Sequence, residues 1–118
     1  SAGLAITTAI LSELTGIPIK ANVAMTGEIS LKGRALPIGG LKEKSMAAYK
    51  AGCDTVIIPK SNYKDLQEIS SEVKQAVKFI TVEYFDEILP IALTKVPKAS
   101  LQHSATNETV LKSSVITQ

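Results

Sequence analysis

Several residue types that define common protein classes are scarce in this 118-residue chain. It contains one cysteine, one histidine and no tryptophan, and aromatic residues make up only 4% of the total. A lone cysteine, Cys53, cannot form an internal disulfide bond, and a single histidine, His103, cannot build a His/Cys cluster at metal-ligand spacing. The sequence therefore indicates neither a disulfide-stapled secreted fold nor a His/Cys metal site, and we expect a reducing, cytoplasmic location.

Long apolar runs and a strong charge bias are also missing. No run approaches the roughly 20 residues that a membrane helix needs, and the first residues do not resemble a secretory signal. The net charge is +2 with 20% charged residues, which is typical of an ordinary soluble surface. The locally basic segment 32–60 is poor in the aromatic residues of a single-strand binding platform. These patterns favour neither membrane insertion nor nucleic-acid binding.

Helix and strand patterns alternate along the first four-fifths of the chain. Apolar periodicity and Gly/Pro breaks delimit each predicted element. Such alternation predicts an α+β (α/β layered) fold in which helices pack on a small mixed, partly parallel sheet. The predicted elements are a helix at 1–15, a β-hairpin within 21–38, a helix at 41–51, a buried strand at 55–58, a helix at 63–77, a strand at 79–82 and a helix at 85–93.

The chain is long enough for one domain, since folded domains commonly contain ~100–150 residues. We expect that domain to cover residues 1–96. From residue 97 onwards the composition shifts to Ser, Thr, Asn and Gln with little apolar periodicity. Such composition is typical of a disordered tail, and we predict one over residues 97–118.

The first predicted helix combines an apolar surface with an unusual start. Ser1 is a good N-cap residue, Ala2 and Gly3 are small, and the first turn offers backbone N–H donors without partners inside the helix. Gly16 is expected to end the helix in the left-handed conformation. The apolar residues surround most of the helix, so we expect extensive burial. They are Leu4, Ala5, Ile6, Ala9, Ile10, Leu11 and Leu14.

Lys44 is the hardest residue to explain as ordinary surface. In the predicted helix 41–51, residues three, four and seven positions apart share one face, and the residues at these spacings from Lys44 are all apolar. An ammonium group on an apolar face would be partly desolvated, which favours the neutral amine, and a neutral amine can act as a base. The alternative is a lysine whose stem lies along apolar surface while its ammonium stays in water. The face-neighbours of Lys44 are Leu41, Ala47, Ala48 and Ala51.

Three motifs, in their order and spacing, resemble the proteolytic domain of Lon-type ATP-dependent serine proteases (bacterial endopeptidase La). They are Ser-Ala-Gly at 1–3, Met-Thr-Gly-Glu-Ile at 25–29, and Gly-Arg-Ala-Leu-Pro-Ile-Gly-Gly-Leu-Lys-Glu-Lys at 33–44. The last motif is long and therefore specific, whereas Ser-Ala-Gly alone would be common by chance. The resemblance extends to about residue 93 and implies the C-terminal part of that domain.

The resemblance implies a Ser–Lys catalytic dyad, with Ser1 as nucleophile and Lys44 as general base. It selects the lysine that helical geometry had placed on the apolar face. Thr26 would orient Lys44 by hydrogen bonding; the alternative is a strand-end threonine satisfied by backbone. The oxyanion would be stabilised by backbone N–H groups at the start of the first helix, including that of Ala2.

The resemblance also implies partners. Full Lon proteins resemble hexameric machines that use ATP and Mg to unfold proteins and cleave unfolded or damaged polypeptides. This chain has no Gly-x-x-x-x-Gly-Lys-Ser/Thr phosphate loop, so we expect no cofactor in this fragment. Strands that precede the nucleophile in the family have no counterpart before Ser1, so we expect the fragment alone to have little or no peptidase activity.

Three questions stay open at this point. Ser1 could instead use its own α-amine as base, without Lys44. The domain could be a non-catalytic, Lon-like structural or assembly domain, although the presence of both Ser1 and Lys44 argues against this. Glu28 could pair with Arg34 across the predicted hairpin or line the substrate groove.

Overall fold

The structure is a computed structural model that describes residues 2–95. Helices and strands alternate along it, as predicted. The helices are α1 (Gly3–Thr15), α2 (Leu41–Lys50), α3 (Ser71–Ala76) and α4 (Leu89–Ala92), and two 3₁₀ helices cover Lys60–Glu68 and Phe85–Glu87. The strands are β1 (Val23–Met25), β2 (Glu28–Ile29), β3 (Ala35–Leu36), β4 (Thr55–Pro59) and β5 (Lys78–Val82). The predicted tail lies outside the described residues and stays a prediction.

The strands form a parallel sheet and a separate antiparallel pair. In the parallel sheet the order is β1-β4-β5, with Met25 opposite Ile57 and Ile57 opposite Ile80. The second sheet pairs β2 with β3. The predicted fold class, with its partly parallel sheet, is confirmed. Helices connect the parallel strands, as crossovers between parallel strands require.

The predicted hairpin over 21–38 was wrong for its first strand. Only β2 and β3 pair as a hairpin, with Ile29 opposite Ala35. β1 instead joins β4 in the parallel sheet. The chain turns between β1 and β2 at Gly27, whose φ of 143° is a conformation that other residues rarely adopt. Local alternation could not reveal this turn, because both strands are rich in strand formers.

The core consists mainly of two apolar clusters, one on each face of the parallel sheet. Successive residues of a strand point to opposite faces. Val56 and Ile58 therefore pack against α2 and α3, while Ile57 packs against α1, β3 and α4. All three β4 residues are at most 3% exposed. The prediction of a buried strand at 55–58 is confirmed, and β4 is the centre of the domain.

Helix α1 is less buried than predicted. Gly16 ends it in the left-handed conformation with φ 71°, as expected. However, Leu4 and Thr8 are its buried residues, whereas Ile6, Ile10 and Leu14 are 57%, 55% and 79% exposed. A helix that packs on one face of a sheet buries only the stripe that touches it. The expectation of extensive burial was therefore wrong for the opposite stripe.

The predicted helix 63–77 is divided into two helices. Its first part belongs to the 3₁₀ helix Lys60–Glu68, and α3 begins only at Ser71. Between them Ile69 is extended and buried, and the Ser70 hydroxyl accepts a hydrogen bond from Val73 N–H at 3.3 Å. Ser70 therefore caps a new helix. The predicted helix 85–93 is likewise divided, into Phe85–Glu87 and α4.

None of the helices within residues 2–95 combines the length and the apolarity that crossing a membrane would require.

The hydroxyl of Ser45 is buried in α2 without a hydrogen-bond partner among the described residues. Ser45 is 1% exposed. We predict that Ser45→Ala raises the free energy of unfolding by about 1 kcal/mol, because it removes an unsatisfied polar group and improves helix propensity. Urea denaturation followed by circular dichroism measures this change.

Ser12→Ala is the matched control for Ser45→Ala. The Ser12 hydroxyl donates to the Ile17 carbonyl oxygen at 2.6 Å, so its loss should destabilise the chain by about 1 kcal/mol. Destabilisation by both variants would show that Ser45 has a partner.

Candidate active site

The start of α2 lies at the carboxyl edge of the parallel sheet, where the strands end. Asn62, which follows β4, donates from Nδ2 to the Ile38 carbonyl oxygen at 2.8 Å and accepts from Ile38 N–H at Oδ1 at 3.0 Å. Asn62 is 2% exposed. These two bonds hold the segment before α2 beside the end of β4. Lys44, whose N–H donates to the Gly40 carbonyl oxygen, is therefore in the first turn at this edge.

The start of α1 reaches the same edge from the other face of the sheet. Leu4 N–H donates to the Gly27 carbonyl oxygen at 3.0 Å, just beyond the end of β1. A Cβ atom at Gly3 would lie 3.0 Å from the Ile29 nitrogen and 3.2 Å from the Glu28 Cα atom. The helix start therefore packs against β2 at backbone distance. Because Gly3 has no side chain, this close approach is possible.

Thr26 lies between these two helix starts. Its N–H donates to the Ile57 carbonyl oxygen at 3.1 Å, which continues the pairing of β1 with β4 beyond Met25. By alternation its side chain lies on the same face as Ala24, which packs against the α2 cluster. Thr26 is 7% exposed, and its Oγ1 atom has no hydrogen-bond partner among the described residues. Neither a backbone partner nor Lys44 is bonded to this hydroxyl among the described residues, so the role of Thr26 stays a prediction.

Lys44 is not at the centre of the buried face of α2. That face consists of Leu41, Ser45 and Ala48, and Lys44 is half-buried at its side. Ala47 and Ala51, which were expected to flank Lys44 in the interior, are exposed. Successive helical positions are about 100° apart, so Leu41, Ser45 and Ala48 share one face of α2 and Lys44 lies at the edge of that face. The expected central position was wrong, although partial burial is confirmed.

The first helix differs from the prediction at its N-cap. α1 begins at Gly3, and its N-cap residue is Ala2 rather than Ser1. Ala2 is exposed and makes no side-chain capping bond. Leu4 N–H is already used by Gly27, so this donor is not free for a ligand. Ser1 lies outside the described residues, and the Ser1–Lys44 pair and the role of the Ala2 N–H stay predictions.

The hairpin register does not support the interpretation in which Glu28 pairs with Arg34. Glu28 is opposite Leu36, whereas Arg34 stacks on Tyr84 with its guanidinium carbon 5.5 Å from the ring centroid. Arg34 Nη1 also donates to the Tyr84 hydroxyl at 3.3 Å. Arg34 is thus engaged at the end of β5, and Glu28 is placed beside the start of α1.

The sequence analysis did not identify Asn62 as a residue of this region, because only the fold brings it to Ile38.

The residues from 2 to 95 contain no group of three or more His, Cys, Asp or Glu side chains placed to hold a metal ion. The side chains at the sheet edge include the Thr26 hydroxyl, the Lys44 amine and an ion pair between Lys60 Nζ and Glu83 Oε1 at 3.2 Å.

Comparison with known proteins decides the family. Residues 1–95 match the model of the Lon protease (S16) C-terminal proteolytic domain. The chain belongs to this family. It is 57% identical over 97 residues to the Lon protease of Brevibacillus choshinensis and 57% identical over 98 residues to that of Haemophilus influenzae. It is also 50% identical over 104 residues to the Lon protease of Dictyoglomus thermophilum.

These Lon proteases are much longer than the present chain. The matches cover 82%, 83% and 88% of this chain, but only 12%, 12% and 13% of the respective relatives. The matched part includes the sheet edge at which Thr26 and Lys44 are located.

Proposed function

We propose that this chain carries the active site of a Lon-type serine endopeptidase, in which Ser1 and Lys44 form a catalytic dyad. The observation that carries the proposal is the family match over residues 1–95, which includes every candidate residue. The geometry supports it: α1, whose first residues follow Ser1, starts at the sheet edge where Lys44 occupies the first turn of α2. Thr26, whose buried hydroxyl has no hydrogen-bond partner within residues 2–95, lies between the two helix starts.

Lys44, as a neutral amine, takes the proton of the Ser1 hydroxyl while the Ser1 oxygen attacks the peptide carbonyl carbon. The resulting oxyanion is stabilised by backbone N–H groups at the start of α1, where the helix dipole also favours negative charge. The Lys44 ammonium then returns the proton to the leaving nitrogen, and the peptide bond breaks. Water hydrolyses the acyl-enzyme ester with Lys44 again acting as base.

Thr26 acts on the base rather than on the substrate in this proposal. In the assembled active site its Oγ1 atom, on the α2 face of the sheet edge, would accept from the Lys44 amine and limit the orientations of that amine. The Thr26 hydroxyl is buried without a partner among the described residues. Burying an unsatisfied polar group costs about 1–3 kcal/mol in stability, so a hydrogen bond from a nearby donor such as Lys44 is favoured.

We propose a wider role for the longer protein to which this domain belongs. By family, it assembles as a hexamer, uses ATP and Mg in a separate module, and degrades unfolded or damaged proteins in the cytoplasm.

Covalent labelling of Ser1 tests the proposed function. We suggest a chimera in which residues 1–95 replace the matching segment of the Brevibacillus choshinensis Lon protease. A fluorophosphonate probe should label it, and peptide mapping should place the adduct on Ser1. Ser1→Ala should remove the label, and Ser12→Ala should keep it.

Labelling that persists in Ser1→Ala, or a chimera that degrades protein without labelling, would contradict a Ser1 nucleophile. A folded, assembled chimera that neither labels nor cleaves would instead favour the non-catalytic domain.

A further inference from the structure

Helix α1 lacks the groups that usually stabilise a helix start. Its N-cap residue, Ala2, has no side chain that can accept a hydrogen bond, and no acidic residue lies in its first turn. Uncapped N–H groups and the positive end of the helix dipole are normally satisfied by an acceptor or a negative charge. A negative group from elsewhere in the fold would therefore stabilise this helix start, where the Leu4 N–H already donates to the Gly27 carbonyl oxygen.

Glu28 supplies that group from the neighbouring strand. Its Cα atom would be only 3.2 Å from a Cβ atom on Gly3, so β2 and the helix start are in backbone contact. One carboxyl oxygen of Glu28, Oε1, is buried. Hydrogen bonding and charge at the amino-terminal end of the chain lower the pKa of Glu28, and the Gly3 and Ala2 backbone N–H groups contribute, while burial acts in the opposite direction. The close backbone approach and the buried Oε1 atom together place the Glu28 side chain at the start of α1.

We propose that Glu28 is a positioning residue, which holds the first turn of α1 from β2 and so fixes the backbone N–H of Ala2 for oxyanion stabilisation. This inference rests on the proposed function for its catalytic part. Glu28 does not touch the scissile bond; it acts through the helix start. A displaced helix start would leave substrate binding unchanged but would weaken the donors that the transition state needs.

Nuclear magnetic resonance of the 118-residue chain tests the contact without any catalysis. The amide protons of Ala2 and Gly3 should shift with pH as Glu28 titrates. Glu28→Gln should abolish this inflection. Glu72→Gln, which removes an exposed carboxylate from the first turn of α3, should preserve it. Amide shifts that do not follow Glu28 would overturn the proposal.

Kinetics of the chimera test the catalytic part. Glu28→Gln should lower kcat for a peptide substrate by about two- to fivefold with KM unchanged, as expected for a helix-terminus interaction. Glu28→Asp, which retains the charge, should recover part of the loss, and Glu72→Gln should change neither parameter. If Glu28→Gln leaves kcat unchanged in a chimera whose cleavage depends on Lys44, the positioning role of Glu28 is refuted while the dyad is not. Cleavage that does not depend on Lys44 would instead refute the dyad.

Discussion

Replacing Lys44 by methionine should lower kcat for peptide hydrolysis by a factor of about 10²–10⁴, the usual contribution of a general base. Methionine keeps an unbranched apolar stem at this half-buried position of α2 but cannot accept the Ser1 proton. The chimera carrying residues 1–95 is the protein to assay, with a fluorogenic peptide as substrate. Circular dichroism of each variant shows whether the fold is retained.

Lys42→Met is the matched control for Lys44→Met. Lys42 lies two positions earlier in the same helix and is exposed, so its replacement should leave kcat unchanged. Equal losses in both variants would mean that charge on α2, rather than one amine, matters. Survival of cleavage in Lys44→Met would contradict the dyad.

Gly27→Ala should destabilise the domain by roughly 3–5 kcal/mol, the sum of backbone strain and overpacking. Gly27 has φ 143°, and an added Cβ atom would lie 2.6 Å from Leu4 Cδ1 and 2.8 Å from Pro59 Cγ. Leu4 and Pro59 are themselves buried, so neither can move freely. Since small domains have a total stability of about 5–15 kcal/mol, this one change could remove most of it. Urea denaturation of the chain measures the loss.

Gly52→Ala separates strain from crowding. Gly52 also has a positive φ, 89°, but nothing lies within 4 Å of an added Cβ atom. We expect a loss of only about 1–2 kcal/mol there, from strain alone. If the two variants lost the same stability, the convergence of α1, β1 and β4 at Gly27 would not be as tight as the structure indicates.

The elements that the sequence predicted best are those with strong local signals. α2 is preceded by two glycines and begins at Leu41, as predicted. β4 is a run of β-branched residues ended by Pro59, and β5 differs from its prediction by one residue. In these segments composition, Gly/Pro breaks and burial all favour the same structure, so the local sequence was sufficient to predict the element.

The incorrect predictions share a physical cause. The hairpin over 21–38 and the burial of α1 both depend on partners that are distant in sequence. β1 could pair with β2 or with β4, and its residues suit either partner. α1 is apolar around much of its surface, so periodicity could not identify Leu4 and Thr8 as the buried stripe. The division of the helix 63–77 had a local signal, Ser70, which the helical pattern concealed.

By itself, the sequence determined the family, the candidate residues Ser1, Thr26 and Lys44, and the order of helices and strands. The motifs are long and specific, and each element is encoded within a few residues of itself. Only the tertiary structure decided that the Thr26 hydroxyl is buried on the α2 face with no partner in the described part of the chain, that Lys44 borders the buried stripe, and that Glu28 lies against the start of α1. Those facts depend on how β1, β2 and β4 pair, and strand pairing is decided by contacts between residues far apart in the chain.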